Sequence, residues 1–326
     1  MTVEWTEDPT AFVTREWSSL VDADPQASVF HTPRFLKLYW EEFGAGRLGL
    51  AFVVRDGVDV ATSAFELGDG VLTWLGGFDV TDYMGPVGPP EHREVAAAEL
   101  MGAAAATEDW TEADLAGLPA DGSWIAALAG GAHRAGLAVR IAEDGVAPFL
   151  ELPRTYQGYL AGLPSRLRHE IRRKDRRMRE AFPDTRVVDA TPDTVGEDLD
   201  RFVELHLASV GQKGRFMVPG MELFFRRAGD ELLDDGTFRL AFLEAGGEKL
   251  AGAIGFRFRD RFLLYNSAYD HERAGLSPGM VLVSELIRSA IDEGRTGFDM
   301  LKGDLGYKYR FGARPRRVCR LLLSRH

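Results

Sequence analysis

The sequence predicts an α+β protein made of two halves of similar design, each a mixed, mostly antiparallel sheet flanked by helices. Two observations lead to this prediction. Apolar residues at helical spacing alternate with short apolar runs that end in Asp-Gly and Gly-Gly turns. The order of helices, antiparallel meander, helix and strand then occurs twice within 326 residues, a length that can bury two cores. We therefore expect domains at 1–152 and 153–326.

The first half is expected to begin with two helices within 5–44, of which Phe30–Phe43 is the more amphipathic. A three-stranded meander at 48–77 follows, because its apolar runs are separated by turn residues. The other predicted elements of this half are a helix at 91–106, a strand at 112–117, an Ala-rich helix at 121–135 and a strand at 138–141.

The second half is expected to begin with a strongly basic helix at 156–180. Periodicity and turn residues predict its remaining elements. These are a strand at 185–189, helices at 194–210 and 219–229, strands at 237–244, 249–259 and 261–270, a helix at 279–293, and strands at 297–301 and 316–324.

Composition limits the function classes. The sequence is 45% hydrophobic and 27% charged, as in ordinary globular proteins, and no apolar run approaches the roughly 20 residues of a membrane helix. The acidic N-terminus lacks the layout of a secretion signal. The single cysteine, Cys319, excludes an internal disulfide framework and provides no metal cluster. We expect a cytoplasmic protein with no metal and no membrane span.

The segment from Phe262 to Arg310 carries the strongest functional pattern: a buried strand, a glycine-bearing turn, a helix, a second short strand, and an aromatic and basic tail. A turn that opens a helix directly after a strand can bind an anion, since backbone N–H groups and the positive end of the helix dipole meet there. The sequence therefore predicts a site for a phosphorylated molecule.

Several stretches resemble the GNAT acyltransferase superfamily, and within it the CelD/BcsL-type acyltransferases, which are related to the Fem aminoacyl transferases. They occur in the family's order: VFHTPRFLKLYWEEFG (29–44), DVTDYMGP (79–86), YLAGLPSRLRHEIRRKDRRM (159–178), FVELHLAS (202–209), and SPGM with the FDMLKGDLGYKYRFG tail. The resemblance implies two tandem GNAT-like domains. The second would hold the donor, and the first would form one wall of the acceptor site.

In that superfamily a loop of the form Arg/Gln-x-x-Gly-x-Gly/Ala grips the pyrophosphate of coenzyme A. The corresponding stretch here is one residue longer than the pattern. The resemblance implies acyl-CoA as donor, bound by Arg273, Gly275, Leu276, Ser277, Gly279 and Met280.

Three residues are candidates for catalysis. Tyr307 follows the short strand where GNAT enzymes often place the tyrosine that protonates the departing thiolate, although a ring that only packs is the alternative. His206 lies on the apolar face of a helix, which is typical of a packing residue, but the resemblance implies a site beside the acceptor. Asp304 lies in the loop that faces the predicted anion site, where it would orient an amine or hold a lysine.

Other polar residues are candidates for substrate binding, each with a structural alternative. Asp299 is a carboxylate within an apolar strand, which requires a hydrogen bond or a partner. Asp82 and Tyr83 follow a strand, where an Asx turn explains Asp82 equally well. The remaining candidates are basic residues that would reach a phosphate or a carboxylate: Arg168, Lys302 and Lys308.

Charge is distributed unevenly. Residues 1–150 contain 8 Lys and Arg against 24 Asp and Glu, whereas residues 151–326 contain 31 against 26. The helix between Ser165 and Arg179 holds much of the excess, and its density could bind tRNA phosphates. No aromatic residue interleaves the run, so base stacking is not supported. A solvated face, neutralised by the acidic half, is the alternative.

Three functions are consistent with these residues. The first is an N-acyltransferase that moves an acyl group from acyl-CoA to a small or sugar-linked amine by direct attack, since no residue stands out as a nucleophile. The second is an aminoacyl-tRNA-dependent transferase of the Fem type. The third is a non-catalytic binding protein in polysaccharide assembly.

Overall fold

The computed structural model describes residues 1–208, 217 and 219–325 and divides them into two compact units. Unit 1 comprises Met1–Val146 with the C-terminal segment from Arg316, and unit 2 comprises Ala147–Pro315. The sequence predicted a break near 150–155 and assigned the last strand to the second domain. The structure instead returns that strand to unit 1.

Twelve strands are described in the chain. They are β1 (Thr2–Thr6), β2 (Arg47–Arg55), β3 (Val58–Gly68), β4 (Val71–Trp74), β5 (Glu112–Pro119), β6 (Ala138–Glu151), β7 (Arg186–Asp189), β8 (Phe238–Ala245), β9 (Glu248–Phe258), β10 (Arg261–Tyr269), β11 (Gly297–Asp299) and β12 (Arg314–Ser324). The α-helices are α1 (Ala11–Thr14), α2 (Trp17–Ala23), α3 (Pro33–Phe43), α4 (Gly77–Val80), α5 (Arg93–Ala106), α6 (Ser123–Arg134), α7 (Tyr156–Gly162), α8 (Ser165–Ala181), α9 (Val195–Leu207), α10 (Pro219–Leu232), α11 (Pro278–Asp292) and α12 (Gly306–Tyr309).

The predicted fold class is confirmed: mixed sheets are flanked by helices. In unit 1 the strand order is β1-β2-β3-β4-β5-β12-β6, and in unit 2 it is β6-β11-β10-β9-β8-β7. Strand β6 contributes its first part to unit 1 and its last residues to unit 2. None of the described helices has the length and apolar character that crossing a bilayer requires.

Several elements differ from the prediction. The strand expected at 138–141 is β6 (Ala138–Glu151), and 5–44 holds three α-helices where two were expected. The N-terminal strand β1, which pairs antiparallel with β2, was not predicted, because its alternating apolar residues, Val3 and Trp5, give a signal only five residues long. The single basic helix expected at 156–180 is two helices, since Pro164 cannot continue α7 and instead precedes the first turn of α8. The helix expected at 194–210 is α9, and residues 209 and 210 lie outside the described residues.

The sheet of unit 2 opens at one point. Strands β10 and β11 are parallel and pair only from Arg261 with Gly297 to Leu263 with Asp299. Strand β10 continues to Tyr269 and carries a bulge just beyond Leu264, where its register against β9 shifts. Since β11 ends at Asp299, the last residues of β10 lose their partner on that side, and a bulge bends a strand further. This edge forms part of the site described below.

Helix α11 anchors the core of unit 2. Apolar residues at helical spacing form its buried face, each no more than 4% exposed: Val281, Leu282, Leu286, Ile287 and Ile291. Burying each large side chain of this kind stabilises the fold by roughly 1.5–3 kcal/mol. The first turn of α11 is therefore held at a fixed place relative to the sheet of its own unit.

Glu293, just after α11, should make the stability of unit 2 depend on pH. Burial alone would raise the pKa of this carboxyl, but hydrogen bonds from Arg257 (3.1 Å) and Arg295 (2.7 Å) lower it to about 2. A depressed carboxyl pKa stabilises the fold above the unfolded value near 4.5, and this contribution, which solvent screening reduces because the residue is exposed, disappears as pH falls toward 2.

We expect Glu293→Gln to lower the urea midpoint at pH 7 and to leave it almost unchanged at pH 2. Glu248→Gln, on an exposed hairpin, is the matched control and should have little effect at either pH. Equal destabilisation by Glu293→Gln at both pH values would contradict the assignment.

Candidate functional site

The chain enters α11 through a tight turn. After β10, residues His271–Leu276 form a 3₁₀ turn, and Ser277 adopts the left-handed conformation with φ 57° and ψ 48°. Pro278 then occupies the first helical position, where its missing N–H and fixed φ are favourable. The predicted strand, loop and helix are thus present, but the loop closes on itself more than the sequence suggested.

Most of the amides expected to face an anion are already hydrogen bonded. The N–H groups of Met280 and Val281 both donate to the carbonyl of Ser277, at 3.0 and 3.2 Å, and the N–H of Ser277 donates within the loop at 3.0 Å. Pro278 has none to offer. Among the described residues, only the N–H of Gly279 in this turn is left without an acceptor. The expectation of several free amides is therefore wrong.

A cleft of about 420 Å³ lies beside this turn, within unit 2. Residues from β10, the 3₁₀ turn, α8, α11 and α12 form its walls. They are Lys174, Ser267, Tyr269, His271, Ala274, Ser277, Gly279, Met280, Val283, Tyr307 and Arg310. The cleft lies where β10 extends beyond the end of β11, so the divergence of the two strands gives it room.

Two cations on the wall of the cleft share one carboxylate. Glu170 on α8 lies 3.2 Å from the Lys174 ammonium and 3.6 Å from the Arg310 guanidinium. The Lys174 side chain is only 12% exposed, so its charge is directed along the protein surface rather than into open solvent. This arrangement gives the cleft a fixed positive wall that suits phosphate groups.

Tyr307 places a protonated hydroxyl in the same cleft. It lies in the short helix α12, half-buried, and burial raises the pKa of its phenol, while a hydrogen bond with the Ser267 side chain on β10 lowers it. The net shift is upward, so the hydroxyl keeps its proton throughout the neutral range. The helical turn also separates Tyr307 from Tyr309, whose hydroxyl donates to Asp304 at 2.5 Å outside the cleft wall.

The loop between β11 and α12 is held by two of the predicted substrate-binding residues. The carboxylate of Asp299, 1% exposed, accepts a hydrogen bond from the N–H of Leu301 at 2.8 Å. The ammonium of Lys308, 4% exposed, donates to the carbonyls of Leu301 (2.8 Å) and Lys302 (3.0 Å). These bonds support the backbone that carries Tyr307, and a binding role for either side chain stays a prediction.

The remaining predicted residues fall into three groups. Ser277, Gly279 and Met280 line the cleft, and their role in donor binding stays a prediction. Seven predicted residues of unit 2 are not part of the cleft wall: His206, Asp304, Arg168, Lys302, Arg273, Gly275 and Leu276. Of these, His206 is buried against Phe202, and Arg168 donates to the Ala161 carbonyl at 3.3 Å. Asp82 and the buried Tyr83 belong to unit 1, where the Arg316 guanidinium lies over the Tyr83 ring.

Several residues of the cleft were not predicted. Lys174 had a usable signal: it follows Ile171 by three positions and precedes Met178 by four, so it lies near the buried face of the helix. Ser267 and Tyr269 had a second signal, since residues two apart face the same side of a strand. His271 and Arg310 gave none, because their places depend on turns. No cluster of metal-binding side chains occurs in the part of the chain that the structure describes.

Comparison with known proteins agrees with this geometry. Residues 165–309 match the family model described as an acetyltransferase (GNAT) domain. That segment contains α8, the turn before α11 and Tyr307, which are the elements that build the cleft. The segment 165–309, which lies within unit 2, is therefore similar to a GNAT-type acetyltransferase domain. A search of curated protein sequences finds no match.

Solved structures resemble the chain over nearly its full length. FemX has a TM-score of 0.68 at 12% identity, covering 98% of this chain and 97% of FemX. The C-terminal domain of a putative lysylphosphatidylglycerol synthetase from Agrobacterium fabrum has a TM-score of 0.61 at 12% identity, covering 97% and 92%. A GNAT-family acetyltransferase from Colwellia psychrerythraea gives 0.55 at 12% identity, covering 99% and 100%. At such identities the similarity concerns the fold.

Proposed function

We propose that unit 2 transfers an acyl group from acyl-CoA to an amine, as a GNAT acyltransferase of the CelD/BcsL type. The observation that carries this proposal is the meeting of a protonated Tyr307 with two cations in one cleft beside the turn that begins α11. An acyl-CoA carries both chemical features that such a cleft complements, since it has phosphates at one end and a thioester at the other. The predicted role of the first domain in binding the acceptor is part of the same proposal.

Each part of the cleft has a place in this reaction. Phosphate oxygens of the donor are bound by Lys174, Arg310 and the N–H of Gly279. The extended part of the donor between phosphates and thioester lies along the unpaired edge of β10 beyond Leu264. The neutral acceptor amine attacks the thioester carbon, the carbon–sulfur bond breaks, and Tyr307 gives its proton to the thiolate. The proton that the acceptor nitrogen loses returns through solvent to the Tyr307 phenolate. The sequence's single cysteine, Cys319, belongs to unit 1 and does not line the cleft, which favours direct attack.

Isothermal titration with acetyl-CoA tests the phosphate-binding step. We expect Lys174→Met and Arg310→Met each to weaken binding by about 10-fold or more, because a hydrogen bond to a charged group contributes roughly 1.5–3 kcal/mol. Arg154→Met, which removes an exposed charge from the same unit but not from the cleft, should bind as the unmodified protein does. Absence of any heat with acetyl-CoA and longer acyl-CoAs would exclude this donor.

An aminoacyl-tRNA donor, as in the Fem aminoacyl transferases, is the second candidate, and the hydrogen bonding of the turn favours it. Met280, Val281 and Ser277 direct their N–H groups to carbonyls of the loop, which leaves little backbone for gripping a pyrophosphate. An aminoacyl-tRNA needs no such grip, since most of its contacts are made by the RNA. Transfer that requires charged tRNA and stops on treatment with ribonuclease would establish this donor. A non-catalytic protein would instead be stabilised against heat by an acceptor and by neither donor.

A further inference from the structure

Helix α8 presents a row of arginines that the fold does not use. Arg166, Arg172, Arg173 and Arg177 are exposed, and within the described residues none has a carboxylate oxygen within 4.0 Å. On the opposite side of the helix, Ile171 and Met178 are buried in the core of unit 2. We call Arg166, Arg173 and Arg177, with Arg172 beside them, the arginine row.

The spacing of the arginine row aligns its charges. Arg166, Arg173 and Arg177 are seven and four residues apart, so they lie on one face of the helix. At about 1.5 Å per residue the row extends for roughly 16 Å, which is long enough to meet several successive phosphates. Because α8 is fixed to the core, these charges are presented together and without folding of a loop.

The acidic residues of α8 do not neutralise the row. Glu180 pairs with Arg176 at 3.5 Å, and Asp175 pairs with Arg179 at 2.9 Å. Glu170 is engaged by the two cations of the cleft. The uncompensated charge therefore belongs to the row itself, and it suits a partner that supplies several negative charges along a line.

We propose that the arginine row docks the phosphate backbone of RNA whose single-stranded end enters the cleft, an inference that rests on the proposed transferase site and on its second donor candidate. The same helix carries Lys174, between Arg173 and Arg177, on the wall of the cleft, so a polyanion bound along the row would pass beside the cleft that Tyr307 lines. No Phe, Tyr or Trp lies on α8, so the RNA is bound mainly through its phosphates.

The chemistry of the exposed face favours RNA over an anionic membrane. A helix that binds in a membrane interface inserts an apolar face, whereas the largest apolar residues of α8, Ile171 and Met178, are buried in the protein and not available to lipid. A duplex of RNA, in contrast, presents regularly spaced phosphates and needs no inserted side chain.

Fluorescence anisotropy with a labelled, deacylated RNA hairpin that ends in single-stranded CCA tests the inference. For about four phosphate contacts, the logarithm of affinity should fall with the logarithm of salt with a slope near −3.6. The triple variant R166Q/R173Q/R177Q should weaken binding on the order of 100-fold at about 0.1 M salt and flatten the slope by about 2.7. The matched control R134Q/R140Q/R154Q removes three exposed arginines outside α8 and should retain both values.

Equal binding by the two triple variants would overturn the inference, and so would binding of phosphatidylglycerol vesicles without binding of the hairpin. Release of free thiol from acetyl-CoA in the presence of amines reports on the proposed function separately. Thiol release without hairpin binding would refute the arginine row as an RNA site and leave the acyl-CoA function standing. Hairpin binding that depends on the arginine row, without thiol release, would support the RNA site and refute the acyl-CoA function.

Discussion

Replacing Tyr307 by Phe is expected to lower kcat by about 10²–10⁴-fold, the range that general acid catalysis contributes, while the affinity for the donor changes little. The hydroxyl is the proposed proton donor of the cleft, and Ser267, whose side chain is hydrogen bonded to it, lies on β10. Removing one oxygen leaves the ring, and therefore the packing of α12, in place. Steady-state assays of thiol release measure the effect on kcat, and titration calorimetry measures the effect on donor affinity.

The same tyrosine fixes how the reaction should depend on pH. Burial raises the pKa of Tyr307 above the usual value of 10, so the acid stays protonated and the rate should show no loss from this group below pH 10. Tyr309→Phe is the matched control, since it removes a phenol from the same helix whose hydroxyl donates to Asp304. Equal losses in the two variants, or a rate of Tyr307→Phe close to that of the unmodified protein, would show that Tyr307 does not act as the acid.

Replacing Gly279 by Trp is expected to abolish donor binding. A Cβ at this position already lies 3.2 Å from the Cδ1 atom of Tyr269, which is tight, so the indole must extend into the cleft and fill it. The substitution also crowds the N–H that the first turn of α11 leaves available. Calorimetric titration with acetyl-CoA should show no heat above dilution.

Gly275→Trp provides the control for this steric argument. Gly275 is exposed in the same turn, and a Cβ there meets no atom within 4 Å. The variant therefore places an equal side chain outside the cleft, and we expect unchanged donor affinity and melting temperature. Donor binding by Gly279→Trp that equals binding by Gly275→Trp would show that the cleft is not the donor site.

Periodicity predicted most of the fold because packing and spacing agree. The apolar positions of α11 recur at helical spacing, and all of those expected in the core are buried. The meander of β8, β9 and β10 was equally readable from its turn residues. Strand β1 was not predicted, because its apolar alternation is limited to Val3 and Trp5 and its place is set by pairing with β2. Pairing between distant segments leaves no local signal in the sequence.

The site was predicted less completely, for a related reason. The left-handed conformation of Ser277 decides where the neighbouring N–H groups point, and a serine gives no warning of a positive φ. A lysine is usually exposed, and nothing in the sequence marks Lys308 as an exception. The loop before it places two carbonyls within hydrogen-bonding distance of its ammonium and buries the side chain. Tyr307, in contrast, was found by its position after a short strand, and it lies in the cleft.

The carboxylate of Glu170 has a consequence for selectivity. It already serves Lys174 and Arg310 as a counter-ion, so any anion that enters must exchange with it and cannot simply add to empty cations. A monovalent ion gains little from such an exchange, because it replaces one negative charge by another. A doubly charged phosphate can neutralise both cations at once. The cleft should therefore select divalent over monovalent anions, even at high ionic strength.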